Sequence, residues 1–317
     1  MAVDAGPHST RLAVADLGQN VLAHRHMRLD LRLGPEHALD EITKALFALL
    51  ADACLPATAV KTIVMGLPGP VDSRTGRPVR PPIMPGWDGF PVGDIISERF
   101  SCMSLVDNDV NLMALGEARA LPADQAPLLL IKIGTGIGGG LISASGELHR
   151  GADGAACDLG HIRVPGADNV VCRCGNVGCV EAIASAEAVL QRLRADHPQL
   201  TDIEGLARML RESHPTAVRQ VRAAAAVLGE VVATLVHVYN PRRIALSGLI
   251  CAASDDVLAG VRGVVYRQAL PLATRHLTLA QSLLGGHAGL AGGVVAGIEM
   301  VLAPPGIPKL LGTVTAM

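Results

Sequence analysis

Short hydrophobic runs separated by turns predict three strands at the start of the chain, over residues 1–5, over 11–16 and from Val21. The pattern then changes to a helical period between Pro35 and Ala53, with apolar positions three or four residues apart. The members of this apolar face are Leu39, Ile42, Leu46, Leu49 and Leu50. This order of elements predicts a mixed α/β fold.

The stretch TIVMG from Thr62 predicts a further strand, which enters a loop over residues 68–91. Seven prolines in that loop exclude a helix or a central strand there. A helix is expected over 94–99, then a strand in SLVDND and a helix in VNLMALGEARAL. The run at 128–133 enters the turn GTGIGGG and a strand GLISA, which repeats the strand–turn–strand order of the first 25 residues. Two related α/β halves that face a cleft would explain the repetition.

Helical patterns cover much of the rest, namely 181–197, 218–239 and 290–302. A strand, RIALS, is predicted over 243–247 and ends at Gly248. The last helix contains Ala291, Gly292, Gly293 and Ala296, although glycine lowers helix stability. We therefore expect another backbone to approach this helix closely.

Composition limits the classes of function. The net charge is −2 with no long basic run, so electrostatic attraction of nucleic acid is not expected. No apolar stretch of membrane-spanning length is free of polar residues, and the N-terminus lacks a signal-peptide pattern. We expect a cytoplasmic, reducing location, where cysteine clusters more often bind metal than form disulfides.

The decapeptide CRCGNVGCVE holds three of the seven cysteines, Cys172, Cys174 and Cys179. His161 lies eleven residues before the first of them and can supply a fourth ligand to zinc. Three thiols without metal in a glycine-rich turn are the alternative. The other cysteines are expected to be small core residues, and they are Cys54, Cys102, Cys157 and Cys251.

Three places are candidates for chemistry. In GTGIGGG, residues 134–140, glycine N–H groups and the Thr135 hydroxyl can bind a phosphate, or the stretch is simply a tight β-hairpin. In DND, residues 107–109, a carboxylate can accept a proton from a substrate hydroxyl, although the spacing alone favours helix capping by Asp or Asn. Asp158, three residues before His161, can bind sugar hydroxyls beside a metal-bound imidazole or form a solvated turn.

The run DLGHIRVPGADNVVCRCGNVGCVEAIAS resembles the signature of the ROK family, which groups bacterial repressors, open reading frames and sugar kinases. The stretches GLPGPVD at 66–72, LVDNDVNLMALGE at 105–117 and IGTGIGGG at 133–140 follow in the family's order. The resemblance covers nearly the whole chain. It implies an actin-like ATPase fold of the ribonuclease H type, with two α/β domains that flank a cleft.

The resemblance also implies roles for particular residues. His161, Cys172, Cys174 and Cys179 would hold structural Zn²⁺, and Asp109 would be the base that deprotonates the attacking sugar hydroxyl. The sugar site would consist of Asn108, Asp109, Asp158, His161 and Glu181. Phosphates would meet Asp4, Gly6, Gly134, Thr135, Gly136 and Gly248, with ATP and Mg²⁺ bound only if the protein is a kinase. The domains would be 1–108 with a C-terminal helix at about 290–317, and 109–289 with the zinc-bound sugar loop.

The first phosphate loop departs from the kinase pattern Asp-x-Gly-Gly-Thr-Lys. Asp4 and Gly6 remain, but Pro7 replaces the second glycine, and His8 and Ser9 replace Thr and Lys. Because each charge-assisted contact is worth about 1.5–3 kcal/mol, the loss of two weakens ATP binding by roughly a hundredfold. Elsewhere Asp158 replaces the usual Glu, and Ile83 replaces Asn.

These departures resemble the actinobacterial regulator branch of the family. Regulators carry a helix-turn-helix domain before the sugar domain, whereas Met1 here already lies at the first strand. We therefore favour a sugar-sensing, regulator-type domain that makes no DNA contact itself, and keep an ATP-dependent kinase of hexoses, amino sugars or cyclitols as the alternative. The expected partners are a small sugar or sugar phosphate and further copies of the chain, as a homodimer or homotetramer, with no membrane.

Overall fold

The computed structural model describes residues 1–312. Within them the strands are β1 (Ala2–Ala5), β2 (Ser9–Ala15), β3 (Val21–Arg28), β4 (Thr62–Leu67), β5 (Val71–Asp72), β6 (Arg77–Pro78), β7 (Met103–Asn108), β8 (Leu128–Ile133), β9 (Ile137–Ile142), β10 (Arg243–Ser247) and β11 (Thr278–Gln281). The α-helices are α1 (Pro35–Asp52), α2 (Val92–Phe100), α3 (Asp109–Ala120), α4 (Val180–Ala184), α5 (Ala186–Leu193), α6 (Ile203–Arg211), α7 (Pro215–Tyr239), α8 (Leu249–Ala253), α9 (Asp256–Gln268), α10 (Pro271–Thr274), α11 (Ala288–Leu302) and α12 (Ile307–Gly312).

The chain forms two compact units. The first comprises Met1–Arg119, Arg150–Ala156 and the chain from His287 onward, and the second comprises Ala120–His149 and Cys157–Gly286. The domain bounds expected from the sequence, 1–108 with about 290–317 and then 109–289, stay a prediction, and residues 313–317 lie outside the described part. Contacts assign most of α3 to the first unit, because this helix packs on α11.

The first unit is built on a five-stranded sheet in the order β3-β2-β1-β4-β7. β1 pairs antiparallel with β2 and parallel with β4, and β4 pairs parallel with β7. One side of the sheet packs against α1 and α2, and every residue of the predicted apolar face of α1 is buried there. The other side packs against α3 and α11.

The small residues of α11 allow the close backbone approach that the sequence predicted. A Cβ atom on Gly292 would lie 1.7 Å from the carbonyl oxygen of Leu112 in α3. A Cβ atom on Gly116 of α3 would lie 2.3 Å from the carbonyl oxygen of Ala288. Neither position tolerates a side chain without movement of a helix, so α3 and α11 are held in close register.

The second unit contains a four-stranded sheet in the order β11-β10-β8-β9. Its core is formed by this sheet and by helices that include α4 to α9. The predicted helix over 181–197 is in fact two helices, because the Ser185 hydroxyl accepts the N–H of Ala188 and caps a new helix. Residues 137–139, expected in the turn before the strand GLISA, belong to β9 and pair with β8.

Two helical stretches, Pro215–Tyr239 and Gly285–Leu302, are long and apolar enough to cross a membrane by length and composition alone. About half of each stretch is buried inside the protein, as in the core helices of water-soluble proteins. They are therefore weak evidence for a membrane span.

Candidate functional site

The predicted metal ligands come together in the second unit. His161, Cys172, Cys174 and Cys179 each direct one ligand atom to a common centre, and these four atoms all lie within 4.8 Å of one another. The Sγ atoms of Cys174 and Cys179 are 3.8 Å apart, and Nδ1 of His161 is 3.7 Å from Sγ of Cys172. A tetrahedral zinc ion with bonds of about 2.3 Å to sulfur holds two sulfur ligands about 3.8 Å apart. The donor set and the spacing both fit such an ion.

A tight turn places these thiols. The Cys172 N–H donates to the Asn176 carbonyl (2.8 Å), and the Gly175 N–H donates to the Cys172 carbonyl (2.9 Å). Gly175 has φ of 92°, in the left-handed region that glycine tolerates best. The Val180 N–H donates to the carbonyl of Ile162 (2.9 Å), which ties the end of the turn to the residue after His161.

The protonation of the thiols differs within the cluster. Burial raises the pKa of Cys172, and it raises the pKa of Cys179 to about 12. Burial also acts to raise the pKa of Cys174, but hydrogen bonds from the Asn176 backbone and from the neighbouring thiols outweigh it and lower that pKa. A cation at the centre therefore competes with protons for the buried thiols.

The opposite side of the His161 ring faces Asp158. Nε2 of His161 lies 4.0 Å from Oδ1 of Asp158, and the Asp158 side chain is 47% exposed. The two ring nitrogens thus have separate surroundings, the thiols on one side and an accessible carboxylate on the other. This arrangement can present a carboxylate and an imidazole N–H together to a polar ligand.

Glu181 connects this segment to the glycine-rich turn. Its Oε2 accepts the N–H of Ile137 at 2.9 Å. A Cβ atom on Gly136 would lie 2.4 Å from the same oxygen, and one on Gly160 would lie 3.3 Å from it. Glycine at position 136 therefore makes room for the carboxylate, whereas a Cβ atom on Gly160 would first meet the Ile137 carbonyl oxygen, at 2.2 Å.

The stretch GTGIGGG forms a β-hairpin, as one of the two interpretations of the sequence predicted. The Gly134 N–H donates to the Gly136 carbonyl at 2.9 Å and closes the turn between β8 and β9. The N–H groups of Thr135 and Gly136 donate to no acceptor within residues 1–312. They are available to an anion. Gly248, at the end of β10, has φ of 128°, and a Cβ atom there would lie 2.1 Å from the Ile133 carbonyl oxygen.

The other predicted residues lie in the first unit. Asn108 caps α3, because its Oδ1 accepts the N–H groups of Val110 (2.9 Å) and Asn111 (3.2 Å), while its Nδ2 donates to the Gly69 carbonyl (2.8 Å). Asp109 is the first residue of α3 and is 3% exposed. A carboxylate at this position lies at the N-terminus of the helix, where the helix dipole attracts negative charge. The stretch DND therefore contains both a capping residue, Asn108, and a buried carboxylate, Asp109.

The first loop is a tight turn between β1 and β2. The Gly6 N–H donates to the Ser9 carbonyl (2.8 Å), and the carbonyl groups of Pro7 and His8 accept the N–H groups of Leu31 (3.2 Å) and Leu29 (3.3 Å). Asp4, at the end of β1, is 8% exposed. Its Oδ2 lies 3.6 Å from Nη1 of Arg11 on β2.

Sequence reasoning missed two arginines, and it placed in the core three cysteines that are half-buried or exposed, namely Cys54, Cys102 and Cys157. Arg11 pairs with Asp4 of the predicted site, and Arg150 pairs with Asp107, the residue before the predicted ligand Asn108. The first pair could have been predicted from the register of β1 and β2, in which Asp4 lies opposite Arg11. Cys54, expected in the core, is exposed at the end of α1, because the chain turns there with a left-handed φ of 55°.

Comparison with known proteins assigns the chain to a family. The ROK family profile matches residues 1–296. A putative xylose repressor from Caldicellulosiruptor sp. is 27% identical over 96% of this chain and 79% of its own length. A glucokinase from Halalkalibacterium halodurans is 31% identical over 73% of this chain and 74% of its own length. Repressors and kinases are thus both among the relatives.

A solved structure agrees with these relatives. The ROK family glucokinase from Streptomyces griseus, crystallised with glucose and AMPPNP, is 27% identical and covers 93% of this chain and 97% of its own, with a TM-score of 0.77. The predicted actin-like ATPase fold is therefore confirmed. Together with the matched profile and the Cys/His cluster, this places the chain in the ROK family.

Proposed function

We propose that the protein is a carbohydrate-binding member of the ROK family that senses a sugar and transfers phosphate weakly or not at all. The observation that carries this proposal is the small number of hydrogen-bond donors in the turn between β1 and β2. Gly6 donates its N–H within the turn, Pro7 has no N–H, and Arg11 is paired with Asp4. This turn therefore offers a nucleotide few donors.

The energetic consequence follows from the missing contacts. A kinase of this family would place a threonine hydroxyl and a lysine where His8 and Ser9 stand. Each charge-assisted hydrogen bond to a phosphate is worth about 1.5–3 kcal/mol, so the loss of two weakens ATP binding by roughly a hundredfold. Arg11 lies 3.6 Å from the Asp4 carboxylate and partly neutralises its charge.

The proposed sugar ligands fall into two groups, one in each unit. Asn108 and Asp109 belong to the first group. Asp158, His161 and Glu181 belong to the second. In this group Nε2 of His161 lies 4.0 Å from Oδ1 of Asp158. Since Asp158 is one methylene shorter than the usual glutamate, we expect a preference that differs from that of a standard hexose kinase.

His161, Cys172, Cys174 and Cys179 would hold Zn²⁺ as a structural ion. With four protein ligands the ion would have no open coordination position and would supply rigidity, not a reactive water. The protein's own contribution is to fix the His161 ring by its Nδ1, so that Nε2 and the neighbouring Asp158 keep a constant orientation.

An ATP-dependent sugar kinase is the second candidate, and a specific observation favours it. Asp109 is buried at the first turn of α3, where a carboxylate can accept the proton of an attacking sugar hydroxyl. The N–H groups of Thr135 and Gly136 are available to phosphate oxygens, and no atom beyond the neighbouring residues lies closer than 3.9 Å to a Cβ position on Gly134. Gly248 would be a further phosphate contact. ATP and Mg²⁺ would be required for this activity.

The remaining properties follow from the sensing proposal. We expect a homodimer or homotetramer in the cytoplasm, with no membrane association. We expect no DNA contact from this chain, because its net charge of −2 gives no electrostatic attraction to phosphates.

The test measures sugar binding and ADP release on the same zinc-loaded protein. Xylose, glucose and N-acetylglucosamine are titrated calorimetrically, and ADP release from ATP and Mg²⁺ is followed with each sugar. Sugar binding without turnover supports the sensor. Turnover with one sugar that Asp109→Asn abolishes makes the protein a kinase and refutes the first proposal.

A further inference from the structure

Arg150 makes an ion pair with a buried carboxylate next to the proposed sugar ligands. Its Nε and Nη2 atoms donate to Oδ2 of Asp107 at 2.9 and 2.8 Å. Asp107 is 5% exposed and is the penultimate residue of β7, directly before Asn108. A carboxylate at that depth needs donors on both oxygens, because burial of an unpaired charge is strongly unfavourable.

The other carboxylate oxygen of Asp107, Oδ1, accepts hydrogen bonds from residues at the start of α3. Oδ1 accepts the backbone N–H of Asn108 (2.7 Å) and the side-chain amide of Asn111 (2.8 Å). Two donors on each oxygen occupy the roughly four acceptor sites of a carboxylate. Arg150 therefore fixes the rotation of the Asp107 side chain, and Asp107 in turn fixes the start of α3.

The segment that carries Arg150 is itself held on the first unit. The Ser73 N–H donates to the carbonyl of Asp153 at 3.3 Å, and Arg74 lies 3.3 Å from the Asp153 carboxylate. A Cβ atom on Gly154 would lie 2.6 Å from the Val71 carbonyl oxygen, so the segment is in close contact there. Arg150 thus reaches Asp107 from a fixed backbone.

We propose that Arg150 and Asp107 are positioning residues for Asn108 and Asp109, and that the pair sets the affinity for the sugar. This inference rests on the proposed function, since it assumes that these two residues bind sugar. A second interpretation is that the ion pair only stabilises the first unit. The positioning role and the purely stabilising role predict different results for the local order of α3, and for a substitution at Arg150 that keeps the positive charge.

The experiment compares Arg150→Met, Arg150→Lys and a matched control, Arg99→Met. The Arg99 side chain is 33% exposed, close to the 34% of Arg150, and it pairs with Asp40, whose side chain is 56% exposed against 7% for Asp107. The control therefore removes an arginine of similar exposure from an ion pair between α1 and α2 without leaving a buried carboxylate. Hydrogen exchange of the Val110 and Asn111 amides reports order at the start of α3, because both donate to Asn108. Binding of xylose, glucose and N-acetylglucosamine is measured in parallel.

We expect Arg150→Met to speed exchange at Val110 and Asn111 and to weaken sugar binding, each on the order of tenfold, because a hydrogen bond to a charged group is worth about that factor. Arg150→Lys, which keeps a charged donor, recovers most of both effects, and Arg99→Met changes neither. Exchange that rises uniformly over the sheet, or stays unchanged at α3, overturns the proposal.

The outcomes separate this inference from the function on which it rests. If the wild-type protein binds none of the three sugars, the sugar-sensing function fails, and positioning is then judged from the exchange of Val110 and Asn111 alone. If exchange rises locally but sugar affinity is unchanged, Arg150 orders α3 without a role in binding, and the proposal is refuted.

Discussion

Two glycines of one turn should respond in opposite ways to a single methyl group. Gly134 and Gly136 flank Thr135 between β8 and β9, and neither has φ in the left-handed region, so alanine is compatible with both backbones. A Cβ atom on Gly136 would lie 2.4 Å from Oε2 and 3.2 Å from Cδ of Glu181. The nearest atom to a Cβ on Gly134 is Cε of Lys132 at 3.9 Å, an ordinary contact.

The magnitude follows from the hydrogen bond that Gly136→Ala displaces. The Glu181 carboxylate must move away from the Ile137 N–H, a bond of 2.9 Å to a charged acceptor that is worth about 1.5–3 kcal/mol. Alanine in place of glycine also restricts the unfolded chain, which stabilises the protein by about 0.4–1 kcal/mol. Gly136→Ala should therefore destabilise by about 1–2 kcal/mol, and Gly134→Ala should leave stability unchanged or slightly raised.

Urea unfolding of zinc-loaded protein, followed by circular dichroism, measures the difference. With m of about 1–3 kcal/mol per M, the midpoint of Gly136→Ala should fall below that of Gly134→Ala by about 1 M. The effect of Gly136→Ala is then measured in a protein that already carries Glu181→Ala. There the added methyl group has no carboxylate to displace, so it should lower the free energy of unfolding only slightly. Equal midpoints for the two glycine variants, or an undiminished cost in the Glu181→Ala background, would refute the reasoning.

Three further outcomes are expected. Cys174→Ser should lower the zinc content from one ion per chain and lower the thermal midpoint, as measured by metal analysis and calorimetry; wild-type protein without zinc would contradict this. Asp109→Asn should abolish any phosphoryl transfer but leave sugar binding measurable, and undiminished transfer would show that Asp109 is not the base. The combined changes Pro7→Gly, His8→Thr and Ser9→Lys should strengthen ATP binding by roughly a hundredfold, because they restore two charge-assisted contacts; unchanged affinity in calorimetry would show that this turn does not limit nucleotide binding.

The parts of the fold that the sequence predicts well are those with a local hydrophobic pattern. The apolar positions of α1 repeat every three or four residues, and the helix is found over Pro35–Asp52. β9 was misjudged, because Gly138, Gly139 and Gly140 carry no side chains and show no alternation. Its strand character comes from pairing with β8, which no local pattern records.

The candidate site shows the same limit. The Cys/His cluster is predictable because its four ligands lie within nineteen residues and have a recognisable spacing. The pairing of Arg150 with Asp107 joins residues 43 positions apart, and neither belongs to a motif that indicates the other. Ser185 interrupts an apparently continuous helical pattern, because its hydroxyl competes for backbone N–H groups.

The first unit combines segments that are synthesised before and after the second unit, and this affects the order in which the two units can fold. Its sheet packs against α11, where Gly293 lies beside Ala2 and Gly297 lies beside Thr62. Until the ribosome has synthesised α11, this side of the sheet can therefore be covered only in part, by α3. The second unit ends at Gly286 and is complete in sequence earlier. Since synthesis proceeds from the N-terminus, the unit that begins first is the last that can finish folding, and the nascent protein must keep its early strands from aggregating in the meantime.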